Sequence, residues 1–205
     1  MDTIIEFMDT YRFNCGFYTI TELINLVGKT NQIIDPFSVL ISNKIEIGEN
    51  NVFYPGVQII SDASSVIEIG NNNTFCNNTK IICENFSQIS IKDYNEFGEG
   101  GICIKCNINK GKMLFGGYCR IEGRINIFGN CHFGQGSQIL GTINVYNCTF
   151  EEGKNYNYPD PNKRAGLIKG IGTAKNLNVG LGMVINGLGD FDQGKIEPQI
   201  NYHKK

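Results

Sequence analysis

The sequence predicts an all-β chain whose strands wind into the three-sided coils of a parallel β-helix behind a short helical cap. Three observations predict it. Apolar residues recur at one long period, the inward positions within a period stand six apart, and Gly or Asn falls three places after them. The composition agrees. Among 205 residues there are 25 glycines and 26 asparagines, with 41% hydrophobic and 19% charged residues. Such a chain is too apolar for disorder and too rich in turn formers for a helical bundle. The length fits one compact domain with a small appendage.

Residues 1–38 form the cap. There Thr21 followed by Glu22, Leu23, Ile24, Leu26 and Val27 predicts one short helix, ended near Gly28, that covers the open first rung. Residues 39–205 form the coils. Ile47, Ile69 and Ile91 are spaced by 22, as are Phe53, Phe75 and Phe97, then Ile45, Ile67 and Ile89, and also Ile59, Ile81 and Cys103. After Phe97 the spacing is 18: Phe97, Phe115 and Phe133, then Cys103, Ile121 and Ile139, and Ile127 with Val145. The simplest account is an 18-residue coil carrying a four-residue outward loop in its early turns, around Ser61 to Ser64 and Glu84 to Ser87.

Within a coil, Ile47, Phe53 and Ile59 stand six apart, as do Ile69, Phe75 and Ile81, and Ile127, Phe133 and Ile139. Three sixes close an 18-residue turn, and stacked turns about 4.8 Å apart satisfy one another's backbone groups. Corners need residues that tolerate positive φ, and Asn50, Gly56, Asn72, Asn78, Gly100, Asn130 and Gly136 occupy them. One step on, small fillers are expected at Val57, Thr79, Gly101, Cys131, Ser137 and Thr149. An irregular loop over 153–166 interrupts the winding, and Val179, Ile185 and Phe191 mark a C-terminal coil.

The stretches Ile47-Gly-Glu-Asn-Asn-Val52, Ile69-Gly-Asn-Asn-Asn-Thr74 and Phe133-Gly-Gln-Gly-Ser-Gln138 resemble the hexapeptide repeat of left-handed β-helix acyltransferases over residues 39 to 150. The resemblance implies a left-handed coil, a homotrimer with the donor between neighbouring helices, and transfer of an acetyl group from acetyl-CoA, as co-substrate, to a sugar hydroxyl. A right-handed β-helix acting on carbohydrate is the alternative suggested by the 22-residue coils and inward phenylalanines. It is opposed by the six-residue corners and the return to 18. A non-catalytic β-helical scaffold is the other alternative. The family's carbonic anhydrase branch needs three zinc-binding histidines, and this chain has two. The sugar-acetylating branch usually carries Asp-x-His on a late coil. No such tripeptide occurs here, and the 153–166 insertion, with Tyr156 and Tyr158, takes that place as an acceptor-side or interface loop.

A net charge of −2 and a pI near 5.7 give no footprint for nucleic acid or an acidic membrane surface. No stretch reaches the roughly 18 apolar residues of a membrane span, and no leader-like succession opens the sequence, so a cytoplasmic protein is expected. Eight cysteines scattered among strand-like segments read as apolar fillers in a reducing compartment. The pair Cys103 and Cys106 is a lone CxxC, and no metal is expected.

Acyl transfer to an alcohol needs a base and an oxyanion donor. His203 lies in the terminal Tyr-His-Lys-Lys, where disorder is the default expectation, which leaves His132 as the candidate base. It precedes the inward Phe133, so strand alternation turns its imidazole outward. Gly98, Gly116 and Gly134, 18 apart, predict a strip bare of side chains on three consecutive rungs, open to a ligand or another subunit. Glu96 shares the column of Leu114 and His132 in this reading, two rungs off at roughly 9 to 10 Å, too far for a hydrogen bond. Glu151, with Glu152 beside it, is the candidate to orient the imidazole. Gly116 and Gly134 are candidates to bind the donor, and the glycine-rich connection from Gly166 to Lys175 is the candidate to hold its pantetheine arm through free backbone groups, with Lys169 or Lys175 near its phosphates.

Overall fold

A computed structural model describes residues 2–27 and 30–203. The chain is mostly β, with parallel strands stacked coil upon coil in the manner of a parallel β-helix. The strand partners fall into three series, each a wall of the coil. Wall A runs through Ile33, Phe53, Phe75, Phe97, Ile121, Ile139, Ile168 and Ile185. Wall B runs through Ile41, Ile59, Ile81, Ile104, Ile127, Val145, Ala174 and Phe191. Wall C runs through Ile47, Ile69, Ile91, Phe115, Phe133, Phe150 and Val179. These residues point inward and, with Leu23 of the cap, form one continuous apolar core.

The 18-residue step starts one turn later than the spacing suggests. Phe97 pairs with Ile121, 24 residues on, while Phe115 pairs back to Ile91 and forward to Phe133. The predicted single column of phenylalanines is therefore two columns on two walls. Phe53, Phe75 and Phe97 stack at 5.0 Å with planes 5° apart, whereas Phe97 meets Phe115 edge to face at 73°. Ile104, not Cys103, is the inward residue of its strand, because the Gly100-Gly101 corner holds one residue more. The four extra residues of the early coils are not simple outward loops. Part of each lengthens walls B and C, giving four-residue strands at Gln58–Ser61 and Val66–Ile69 and burying Ser65.

Positive φ occurs at Asn50, Gly56, Asn72, Asn78, Gly100 and Gly136. Asn130 does not share it. Gly129 turns that corner at φ +77°, and the Asn130 side chain instead accepts a hydrogen bond from the Lys112 amide. Cys148 fills the buried place expected of Thr149, which is exposed, and Gly101 is half-buried.

The corner from wall C to wall A contains a feature the small-filler reading misses. Asn31, Asn51, Asn73 and Asn95 stack inside it, all buried. Each side-chain oxygen accepts the backbone N–H of the next coil: Asn51 to Asn31 at 2.9 Å, Asn73 to Asn51 at 2.9 Å, Asn95 to Asn73 at 2.8 Å and Cys119 to Asn95 at 2.9 Å. An asparagine fits because it offers an acceptor upward and donors sideways at one short reach. Ser137 continues the column, its hydroxyl donating to the Gly134 carbonyl.

Two helices form the cap, α1 (Asp2–Asn14) and α2 (Ile20–Val27). The sequence reading foresees only the second, and its expected stop at Gly28 lies outside the described residues. A capping box starts α2: the Thr19 hydroxyl accepts from the Glu22 amide at 3.0 Å and the Glu22 carboxylate from the Thr19 amide at 2.8 Å. The first helix carries Ile4, Phe7 and Tyr11 at helical spacing, a signal the sequence reading passes over, and these side chains, with Phe13, are exposed. Asp9 ties it to α2 by accepting from the Ile20 amide, and Arg12 ties it to the first coil by donating to the Phe37 and Val39 carbonyls. At the other end, Glu197–Pro198 pairs antiparallel with Met183–Val184 over the last coil. No helix among the described residues is long and apolar enough to cross a membrane.

All eight cysteines are described and all are free. Cys103 and Cys106 fall on opposite faces of the strand Ile102–Cys106, the first half-buried and the second buried. Burial pushes the thiols of Cys83, Cys119 and Cys131 up to about 12 from an ordinary 9.0.

Two predictions follow from this core. Asn73→Ala leaves the Asn95 amide without its acceptor and should lower unfolding free energy by about 2–3 kcal/mol in urea titrations. A raised folded-state pKa favours the folded form fully below about pH 9, and that advantage is lost as the unfolded thiols ionise. The urea midpoint should thus fall from about pH 8 to about pH 10.5, less steeply in Cys131→Ala.

Candidate functional site

His132 lies on the wall C strand Cys131–Phe133 with its side chain exposed, flanked along the sheet by Leu114 and Thr149. The alternation that buries Cys131 and Phe133 turns its imidazole outward. It lines a groove of about 390 Å³ that also takes in Gly116, Gly134, Glu152, Lys92 and the tyrosines Tyr94 and Tyr118. A second depression of about 360 Å³ reaches the same imidazole from the side of Ser90 and Lys112.

The bare strip is shorter than the spacing implies. Gly98 belongs to wall A, where a Cβ would touch Glu122, so only Gly116 and Gly134 stand beside His132. Nor are these two glycines merely vacant. A Cβ on Gly116 would come within 2.6 Å of the Gln135 nitrogen, and one on Gly134 within 2.4 Å of the Glu152 nitrogen. The following coil rides so close that only glycine fits. Their amides are engaged as well, donating to Phe133 at 2.7 Å and Phe150 at 3.0 Å. These two amides are therefore not free to hold an oxyanion, and Lys92 is the only lysine or arginine among the groove's described lining residues.

Glu96 is not in the column of His132. It pairs with Thr74 and Arg120 on wall A. Glu151 is one coil beyond His132, but its carboxylate accepts from the Leu181 amide at 3.0 Å. Two carboxylates share the groove with the imidazole: Glu152, and Asp93, whose Oδ1 accepts from the Asn71 amide at 2.7 Å.

The glycine-rich connection is the strand Leu167–Lys175, paired with a neighbouring coil on each side, so its backbone groups are not free for a pantetheine arm, and its two lysines separate. Lys169 is on wall A, its ammonium 4.2 Å from the centre of the Tyr202 ring, in a cavity of about 310 Å³ with Arg164 and His203. Lys175 is exposed on wall B beside Tyr146. A six-residue interval is one side of the coil, which puts the pair on different walls. The tail holds His203 in place, its Nε2 lying 3.0 Å from Arg164 Nη1. Three basic side chains thus converge from the 153–166 loop, wall A and the tail, in a cavity lined by no carboxylate among the described residues.

Sequence reasoning missed Tyr94, Tyr118, Lys92 and this basic cluster. A signal existed for the tyrosines. They occupy the corner positions three after Ile91 and Phe115, where the pattern demands Gly or Asn. No protein-family model and no curated protein matches the chain.

Because the next coil's backbone occupies the space over Gly134, Gly134→Ala should lower unfolding free energy by about 1–3 kcal/mol, measured by urea denaturation.

Proposed function

We propose that this protein is an acyltransferase of the hexapeptide-repeat kind, moving an acetyl group from acetyl-CoA to a hydroxyl of a sugar in a surface polysaccharide or its precursor. The observation that carries the reading is an exposed imidazole in a groove floored by glycine and shared with a carboxylate. In this reading His132 takes the proton from the sugar hydroxyl and the oxygen attacks the thioester carbonyl. The tetrahedral oxyanion is held by the Lys92 ammonium. Collapse breaks the carbon–sulfur bond, and the coenzyme thiolate leaves with the proton returned from the imidazolium. Glu152 stabilises that imidazolium.

The coils are then left-handed turns of 18 residues, some enlarged, in a cytoplasmic homotrimer. The trimer has a physical motive. His132 is on wall C, and Lys169 and Arg164, with His203 beside them, are around wall A, so one chain does not bring the base and the phosphate-binding side chains into one groove. A neighbouring subunit laid along the glycine column can bring its own basic cluster to the imidazole. The same separation favours a second reading, a non-catalytic scaffold in which both walls are packing surfaces. Calorimetry with coenzyme A distinguishes them, since a scaffold gives no heat.

The test is thiol release from acetyl-CoA with a panel of sugars. His132→Ala should lower turnover at least 100-fold with the circular-dichroism spectrum retained, because the side chain is exposed. Undiminished turnover would remove the histidine from the mechanism.

A further inference from the structure

Tyr94 and Tyr118 adopt φ of +62° and +60°, the left-handed region that bulky side chains rarely enter. The equivalent corner position holds Asn50 and Asn72 in earlier coils and Gly136 in the next. The backbone does not need tyrosine there. It is held by bonds any residue would make, the Tyr94 amide donating to Asn71 at 2.9 Å and the Tyr118 amide to Asp93 at 3.0 Å. Behind them, Asn95 and Cys119 are locked in the buried ladder.

The rings serve no core either. They stack on each other at 4.8 Å with planes 6° apart, and the residues are 50% and 43% exposed. Strained and exposed aromatic residues at a corner that favours Asn or Gly are a feature of the surface, not of folding.

This tyrosine ridge separates two grooves and lines both. On one side is the groove of His132. On the other is a groove of about 300 Å³ on the wall A side, whose remaining lining includes Asn72, Asn155, Asn157, Glu96, Arg120 and Tyr156. Arg120 stands 4.8 Å from the centre of the Tyr156 ring, and its charge is already answered by Glu122 at 2.5 Å and Glu96 at 4.0 Å. That groove therefore offers ring faces, amide donors and acceptors, and no uncompensated positive charge. Those are the groups that a neutral saccharide needs: apolar C–H faces pack on aromatic rings, and hydroxyls pair with amides and carboxylates.

We propose that the Tyr94–Tyr118 ridge, with the Asn155–Asn157 segment, is a binding platform for a neutral oligosaccharide that crosses the corner. One sugar lies in the wall A groove while the next reaches the groove of His132. The inference rests on the reading above that the acceptor is a sugar, and it makes that acceptor a chain of at least two residues held away from the point of transfer.

The test is calorimetric titration of the protein, without acetyl-CoA, with cellotetraose, maltotetraose, mannotetraose and chitotetraose. At least one should bind. Tyr94→Asn/Tyr118→Asn follows the corner's own pattern and should keep the wild-type circular-dichroism spectrum while weakening that binding at least tenfold. Tyr94→Phe/Tyr118→Phe keeps the rings and should bind within about threefold of wild type. Wild-type affinity in the asparagine variant, equal loss in the phenylalanine variant, or no binding of any tetrasaccharide by the wild type would overturn the platform. Thiol release with the same sugars is read separately. Binding without release would sink the transferase and leave the platform standing, and release unaffected by the asparagine variant would do the reverse.

Discussion

The stacking of one coil's backbone on the next is the constraint from which the other features follow. A strand here has no partner within its own coil, so its N–H and C=O groups must be met by the coils on either side. Every turn must then repeat the same path closely enough for the ladder to continue. The buried asparagines at the corner from wall C to wall A do this where strand pairing lapses, each accepting the amide of the coil that follows. A buried amide without an acceptor would cost several times the net value of an ordinary hydrogen bond. That asymmetry makes the corner a specification of register and not only a space filled.

The same repetition shapes the outer surface. Because the coils ride within van der Waals distance, glycine is required at Gly116 and Gly134, and the groove beside His132 owes its shallow floor to that requirement. The left-handed corner that favours asparagine also turns its side chain outward, and two tyrosines use that geometry to stand as a ridge between walls. Inside and outside of one corner thus carry different tasks: Asn95 holds the coil while its neighbour Tyr94 faces solvent. The separation of His132 from the basic cluster has the same origin, since a three-walled coil distributes outward residues by sixes over surfaces that do not meet.

Much of the winding was legible in the sequence. The inward isoleucines and phenylalanines, six of the seven corner residues and the C-terminal coil follow from a period of six, because burial and positive φ each select a narrow set of side chains. Register was less legible. One extra residue at Gly100-Gly101 and a longer turn before Lys112 moved Phe115 to another wall, and identical spacing hid the change because every wall accepts phenylalanine inside. The error carried into the candidate site: Gly98 and Glu96 left the column of His132 with it. Glu151 was misjudged for a different reason, since the Leu181 amide that takes its carboxylate is 30 residues away in the chain.

What the sequence determined by itself was therefore local and periodic: which residues face inward, where the chain can turn, and that His132 looks out. These depend on each residue's own size, polarity and φ preference, which a repeat displays many times over. Only the tertiary structure decided which coil lies upon which, and hence that Glu152 and two tyrosines are the neighbours of His132 while Lys169, Arg164 and His203 gather on another wall. Proximity across coils is set by the number of residues in each intervening turn, and a single added residue redirects everything beyond it without altering the pattern that any one coil presents.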